Sequence, residues 1–241
     1  MLPPLSTVAN HSLATQTLLS EAKNYNRWIF QLIQPFLGQR ILDIGCAIGN
    51  ITECFLDRQC IVGLDCDRKA IKHIRTRFAD HSNFSAYYAD FPKSDLSFLG
   101  TSAFDTITCL NVLEHIADDD SALVTMRTLL VDGGRLILLV PALRWLYGSM
   151  DAADGHFRRY SSGELREKLS RASFIVHKIQ YMNFPGILGW FINGRIRKVP
   201  LIPKPQLVFY DRIVPFIQRF ERFVSVPFGQ SLIAVVEKQF A

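Results

Sequence analysis

Two kinds of residue in this sequence could do chemistry. Carboxylates and glycines gather where short apolar runs end. Asp43, Gly45 and Gly49 lie in Ile41-Leu42-Asp43-Ile44-Gly45-Cys46-Ala47-Ile48-Gly49-Asn50, Asp65 closes Val62-Gly63-Leu64-Asp65, and Asp90 follows Tyr88-Ala89. Glycines in such a turn let the backbone take positive φ and approach a ligand closely. A carboxylate at a strand end can accept both hydroxyls of a ribose. The second kind is histidine, at His115 and His156. Its ordinary pKa suits proton transfer near neutral pH.

These residues need strands and helices to hold them, and the hydrophobic pattern supplies both. Residues 14–37 read as a helix that ends near Pro35 and Gly38. Strands are expected at 40–44, 60–64, 84–88, 104–110, 135–140, 174–181 and 231–237. Helices are expected at 50–58, 69–78, 121–130 and 162–172. Alternation of this kind predicts an α/β, doubly wound, mostly parallel seven-stranded sheet with helices on both faces. Right-handed crossovers put the strand C-terminal ends on one edge, where ligands bind. The whole chain reads as one domain, with residues 38–140 as its ligand-binding half. Residues 141–160 and 183–229 interrupt the alternation and should project over that edge. The second segment forms a helical cap inserted before the last strand.

The glycine turn is not a dinucleotide site. That fingerprint needs glycine at positions 47 and 50, where this chain has Ala47 and Asn50, and a pyrophosphate would meet the alanine. The run instead resembles the D-x-G-x-G-x-G motif of class I, Rossmann-like methyltransferases, with Ala47 in place of the middle glycine. Four further segments match that family in order: Asp65, Asp90 with Phe91, Phe104 to His115, and the Asp132-Gly133-Gly134 turn. Asn111 to His115 looks most like the ubiquinone- and menaquinone-biosynthesis type of small-molecule methyltransferase. The resemblance covers residues 25–140.

It implies S-adenosylmethionine as cofactor. The residues implied to hold it are Asp43, Gly45, Cys46, Ala47 and Gly49 in the turn, Asp65 and Cys66 at the ribose, Asp90 and Phe91 at the adenine, and Asn111 and Val112 under the methionine. Tyr25 sits on the N-terminal helix that closes over the cofactor in such enzymes, and Trp28 packs beside it. Methyl transfer to an oxygen needs alignment, exclusion of water and a base. His115 and His156 are the candidate bases. Arg158 and Arg159 either clamp an anionic acceptor or pair with Asp151 or Asp154. Tyr160 packs. The two histidines form no metal-ligand spacing with an acidic pair, so no metal is expected. N-, C- or S-methylation and a non-catalytic cofactor-binding scaffold remain as alternatives to O-methylation.

Composition bounds the rest. Nearly half of the 241 residues are hydrophobic, which excludes a disordered chain. No apolar run approaches the length of a membrane span, and residues 1–10 lack a signal peptide, so a cytoplasmic protein is expected. Five cysteines with no C-x-x-C pair argue against disulfides or structural zinc. Between Phe184 and Arg222, seven basic residues stand against Asp211 and Glu221, a net +5. Residues 206–226 carry an apolar stripe of Phe209, Ile213, Phe216, Ile217, Phe220 and Val224, with arginines elsewhere and Pro215 as a kink. Such a segment suits a lid for a small-molecule or lipid-linked acceptor. It also suits peripheral contact with an anionic membrane at its inner face. The basic residues alternate with large apolar ones and no RNA-binding module is appended, which argues against nucleic acid.

Overall fold

The computed structural model describes residues 17–101, 103–224 and 226–240. Expectations for residues 1–10 and 14–16 lie outside that range. The strands are β1 (Arg40–Ile44), β2 (Cys60–Asp65), β3 (Phe84–Tyr88), β4 (Phe104–Leu110), β5 (Leu130–Pro141), β6 (Phe174–Met182) and β7 (Ser231–Lys238). They form one seven-stranded sheet in the order β3-β2-β1-β4-β5-β7-β6. All pairings are parallel except those of β7, which runs antiparallel between β5 and β6. The order reverses between β1 and β4, so the crevice there is the natural ligand site.

Central strands covered on both faces are mostly buried along their length, and β1, β2 and β4 are, with the buried Asp43 of β1 satisfied by Thr108 of β4. Alternate residues point to opposite faces. Leu42, Leu64, Ile107, Leu136 and Leu138 pack on one side against helices α3 (Asp119–Leu129) and α5 (Ser162–Arg171). Ile41, Ile61, Ile137, Leu139 and Val235 pack on the other, against Trp28, Ile29 and Ile33 of α1 (Lys23–Ile33) and Val214 of α7 (Lys204–Phe223). Helix α2 (Arg68–Arg77) follows β2, and α4 (Ser149–Asp154) and α6 (Gly186–Phe191) belong to the two interruptions. A π-turn, Ile192–Ile196, prolongs α6.

Two expectations change. The N-terminal helix is broken: residues 17–19 are helical, 20–22 are not, and α1 begins at Lys23. Its first turn has no local cap. Asp211 of α7 supplies one, accepting from the amides of Asn24 at 3.2 Å and Tyr25 at 2.9 Å. Residues 50–58 make only a short 3-10 turn, Thr52–Phe55. The Thr52 hydroxyl donates to the Asp43 carboxylate at 2.7 Å, which ties this segment to β1. Helix α7 runs on through Pro215.

Candidate functional site

A cavity of about 230 Å³ opens at the C-terminal edge of the sheet. Its wall brings together Tyr25, Asp43, Gly45, Cys46, Ala47, Asn111, His115 and His156, with Glu114 among them. Helix α7 closes it through Leu207, Tyr210 and Asp211, and Trp190 and Met150 add to the cover. Of the other candidates, Gly49, Asp65, Cys66, Asp90, Phe91 and Val112 lie off this wall.

The turn after β1 is shaped by its neighbours. The amides of Gly45 and Cys46 both donate to Leu64 O, at 2.8 and 3.0 Å. Gly45 has φ 76°, and a Cβ there would stand 2.2 Å from Val112 Cγ2. Val112 therefore backs the turn rather than facing the cavity. Ala47 takes φ 46° despite its Cβ. Its amide donates to Asp65 Oδ2 at 2.8 Å, and that charged bond offsets the about 1–2 kcal/mol of left-handed strain.

Asp43 is buried between the hydroxyls of Thr52 and Thr108, at 2.7 and 2.8 Å. Burial raises its pKa to about 6, against the opposing effect of those two bonds. Asp65 and Asp90 stand at the ends of adjacent strands, linked by the Ala89 amide on Asp65 O at 2.9 Å. Cys66 lies near both: burial first, then the charges of Asp65 and Asp90, push its thiol up to about 11. Asp90 pairs with Lys93 at 3.1 Å. Phe91 is buried in the main core. Burial raises the pKa of the Tyr25 hydroxyl, with Ser231 and Asn183 opposing the shift. Trp28 is core packing, set edge-on to Tyr25.

The acceptor side is a second constellation. His156 Nδ1 meets Asp151 Oδ1 at 2.9 Å, and its Nε2 lies 3.5 Å from Asp154 and 4.0 Å from Glu114. The rings of His115 and His156 are perpendicular, with centroids 4.6 Å apart. Asp151 is fully buried and also accepts from Arg159 Nε at 2.8 Å, Gly148 N at 2.9 Å and Trp190 Nε1 at 3.1 Å. Burial lowers the His156 pKa, but the bonds to Asp151 and Asp154 and the charge of Glu114 outweigh it, and the balance is about 9. Burial and the neighbouring His156 push His115 down to about 4, and burial pushes Glu114 up to about 7.

Several open readings close here. Arg158 pairs with Asp119 at 2.6 Å; Arg159 pairs with Asp151 through Nε, while its buried Nη2, on the cavity wall, has no partner among the described residues. Tyr160 is buried and donates to Asp119 at 2.8 Å. Glu114 was missed in the sequence. Its signal was there: an acid set between the buried Leu113 and a histidine, at the edge where ligands bind. The spacing of His115 and His156 carries no metal pattern, yet the fold puts ligand atoms of Glu114, His115 and His156 within 4.8 Å of one another.

Residues 42–136 match the family described as methyltransferase domain. The ubiquinone biosynthesis O-methyltransferase of Bordetella avium is 29% identical over 108 residues, 44% of this chain and 44% of that protein. The chain thus matches under half the length of this curated relative. An S-adenosylmethionine-dependent methyltransferase from Mesorhizobium loti superposes with TM-score 0.61 at 15% identity, over 88% of this chain and 98% of that one. The phosphoethanolamine N-methyltransferase 2 of Haemonchus contortus, solved with S-adenosyl-L-methionine, gives 0.63 at 16% identity, over 90% and 53%. At these identities the two structures share the fold.

Proposed function

We propose that this chain, whose residues 42–136 match a methyltransferase-domain family, moves a methyl group from S-adenosylmethionine to a hydroxyl of a small-molecule or lipid-linked acceptor. The observation that carries this reading is the cavity. One wall is the glycine turn with the buried Asp43, and the opposite wall is Glu114, His115 and His156. The residues fit the donor. Asp43 offers negative charge toward a cationic sulfonium, and Asp65 and Asp90 offer carboxylates to a ribose and an amino group on the adjoining strand ends. When bound, the cofactor supplies an electrophilic methyl group.

The chain does the rest. Gly45 to Ala47 and Asn111 hold the donor in line, and α1 with Tyr25 and α7 with Tyr210 keep water out. The acceptor hydroxyl loses its proton at the cluster of Glu114, His115 and His156. The relatives named for O-methyl transfer support oxygen as the acceptor atom. Calorimetry with S-adenosylmethionine, then turnover to S-adenosylhomocysteine with a cell extract as acceptor source, tests the reading. Binding without turnover leaves a scaffold, and no binding removes the proposal.

The acceptor's route points to lipid. Helix α7 lines the cavity with Leu207, Tyr210 and Asp211, while Phe209, Phe216, Phe220 and Phe223 stand exposed on its other side. Arg212, Arg219 and Arg222 flank them. Aromatic anchors with arginines suit an anionic bilayer. Among the described residues, no helix is long and apolar enough to cross a membrane. Flotation with vesicles of phosphatidylglycerol at low salt should carry the protein up, and Phe216→Ser with Phe220→Ser should leave it below. Failure of the unaltered protein to float removes the membrane contact.

A further inference from the structure

Helices α1 and α2 each turn a basic stripe toward one open cleft. Lys23 and Arg27 lie one turn apart on α1, off the stripe that buries Trp28, Ile29 and Ile33. Lys69, His73 and Arg77 recur every fourth residue on α2, off the stripe that buries Ala70, Ile71 and Ile74. Residues four apart on a helix share a face, so each set stands together. The cleft they line has a volume of about 1120 Å³, and Ile48 and Asn50 of the glycine turn border it. Among the described residues of its wall, only Asn26 and Asn50 also border the methyl-transfer cavity.

The charge of this wall is one-sided. Glu53 is its one carboxylate among the described residues, and Arg77 occupies it while donating Nη1 to Ile48 O at 2.9 Å. Lys23, Arg27 and Lys69 pair with no carboxylate among the described residues. With His73 neutral, the wall carries a net +3. Arg144, Arg171 and Lys204, by contrast, each hold a carboxylate: Glu164, Glu167 and Glu21. Like charges one helical turn apart repel, and a concavity lined by one sign of charge concentrates the opposite ion.

Cations on two facing helices call for a ligand with more than one anionic group. An arginine that grips two oxygens and lysines that act as point charges are the chemistry of phosphate binding. A concave site of this size takes a small molecule. We propose that the cleft between α1 and α2 binds a soluble small molecule carrying two or more phosphate groups, beside the methyl-transfer cavity and not within it. Lys23 and Arg27 hold its phosphates from one side, and Lys69 and His73 from the other. S-adenosylmethionine is not the occupant. Its one carboxylate is outnumbered by its own ammonium and sulfonium, so it cannot neutralise this set. The cleft therefore stands whether or not the methyltransferase reading holds.

Calorimetry of the full chain with inorganic tripolyphosphate at low salt tests the proposal. One equivalent should bind, at least about tenfold more tightly than sulfate, and binding should weaken as salt is raised. Arg27→Gln with Lys69→Gln should weaken it at least about tenfold. Arg212→Gln with Arg219→Gln, which removes the same charge from α7, should leave it unchanged. All four side chains are exposed, so both variants should fold, and melting curves check this. If a variant does not fold, acetylation of the unaltered protein, mapped by mass spectrometry, reads the same contact: tripolyphosphate should protect Lys23 and Lys69 but not Lys198. A phospholipid headgroup offers the same chemistry, so the cleft variant is also compared with its parent in flotation on phosphatidylglycerol vesicles, where the two should behave alike. The proposal is overturned by the lack of a one-equivalent site, by sulfate binding as tightly, or by equal losses in the two variants. It is equally overturned if Lys23 and Lys69 react the same with and without tripolyphosphate, or if the cleft variant stays below while its parent floats.

Discussion

Replacing Asp43 with asparagine should make the protein more stable and a weaker cofactor binder, and the gain should depend on pH. Burial raises the Asp43 pKa from 3.8 to about 6, a shift of about 2 units. At about 1.4 kcal/mol per unit, keeping this carboxylate charged in the fold costs about 3 kcal/mol relative to the unfolded chain. The folded state binds the extra proton, so this cost is absent below about pH 4, grows as pH rises through the window, and is complete above about pH 6. Asparagine has no charge to desolvate. It cannot accept from both Thr52 and Thr108, so one hydroxyl must turn and accept from the amide, at a cost of about 1 kcal/mol. The balance is about 2 kcal/mol in favour of Asp43→Asn at pH 7.5. For a chain of this length that is a rise of about 4–8 °C in Tm. Urea denaturation of both proteins from pH 4 to 8 checks it. A variant less stable than its parent at pH 7.5, or a difference that does not change with pH, would refute the reasoning.

Three other perturbations follow from the same geometry. Gly45→Ala forces a Cβ against Val112 at a residue with φ 76°; it should cost about 1–3 kcal/mol and weaken S-adenosylmethionine binding at least about tenfold by calorimetry. Adding Val112→Ala should recover part of that loss. Asp211→Ala removes the acceptor for the Asn24 and Tyr25 amides; about 1–2 kcal/mol should go, with faster amide exchange confined to the first turn of α1. Arg159→Met leaves the buried Asp151 without its cationic partner and should cost about 3–5 kcal/mol in denaturant unfolding. If it unfolds no more easily than the parent, the pair is not holding the acceptor side together.

The sheet was legible because its central strands are largely buried and rich in apolar residues, while the turn residues at their ends stand out. The helices flanking α1 and β1 were less so, and the reasons are tertiary. Residues 50–58 have a helical pattern, but the Thr52–Asp43 bond outweighs it. The break before α1 leaves a first turn that Asp211 completes from 186 positions away. Ala47 looked like an obstacle to the turn. It takes the left-handed conformation anyway, because Asp65 holds its amide. The acceptor side was half legible. His115 and His156 could be picked out by type, but no spacing rule joins Glu114 to His156 across 42 positions. Asp151, Arg159 and the bridge between Ala142 and Tyr160 fold the first interruption back beside the end of β5.

Helix α7 shows how far a pattern can go. The sequence gives it an apolar stripe, and a lone stripe predicts one buried side. The structure buries a different side. Leu207, Asp211 and Val214 are its buried residues, and Ile213 and Ile217 are only partly covered. Phe209, Phe216 and Phe220 are more than half exposed. The reason is Asp211. Its carboxylate reaches the amides of α1, and together with Glu221 on the amides of Asn183 and Phe184 it fixes the helix's rotation about its axis. The phenylalanines are left outward by default, since a helix has only one side to give to the sheet. Four exposed phenylalanines on one helix face are costly in water, each worth about 1.5–3 kcal/mol if fully covered. On the proposed reading, an anionic bilayer would cover such a face without competing for Asp211, so that one helix could close the cavity and meet lipid.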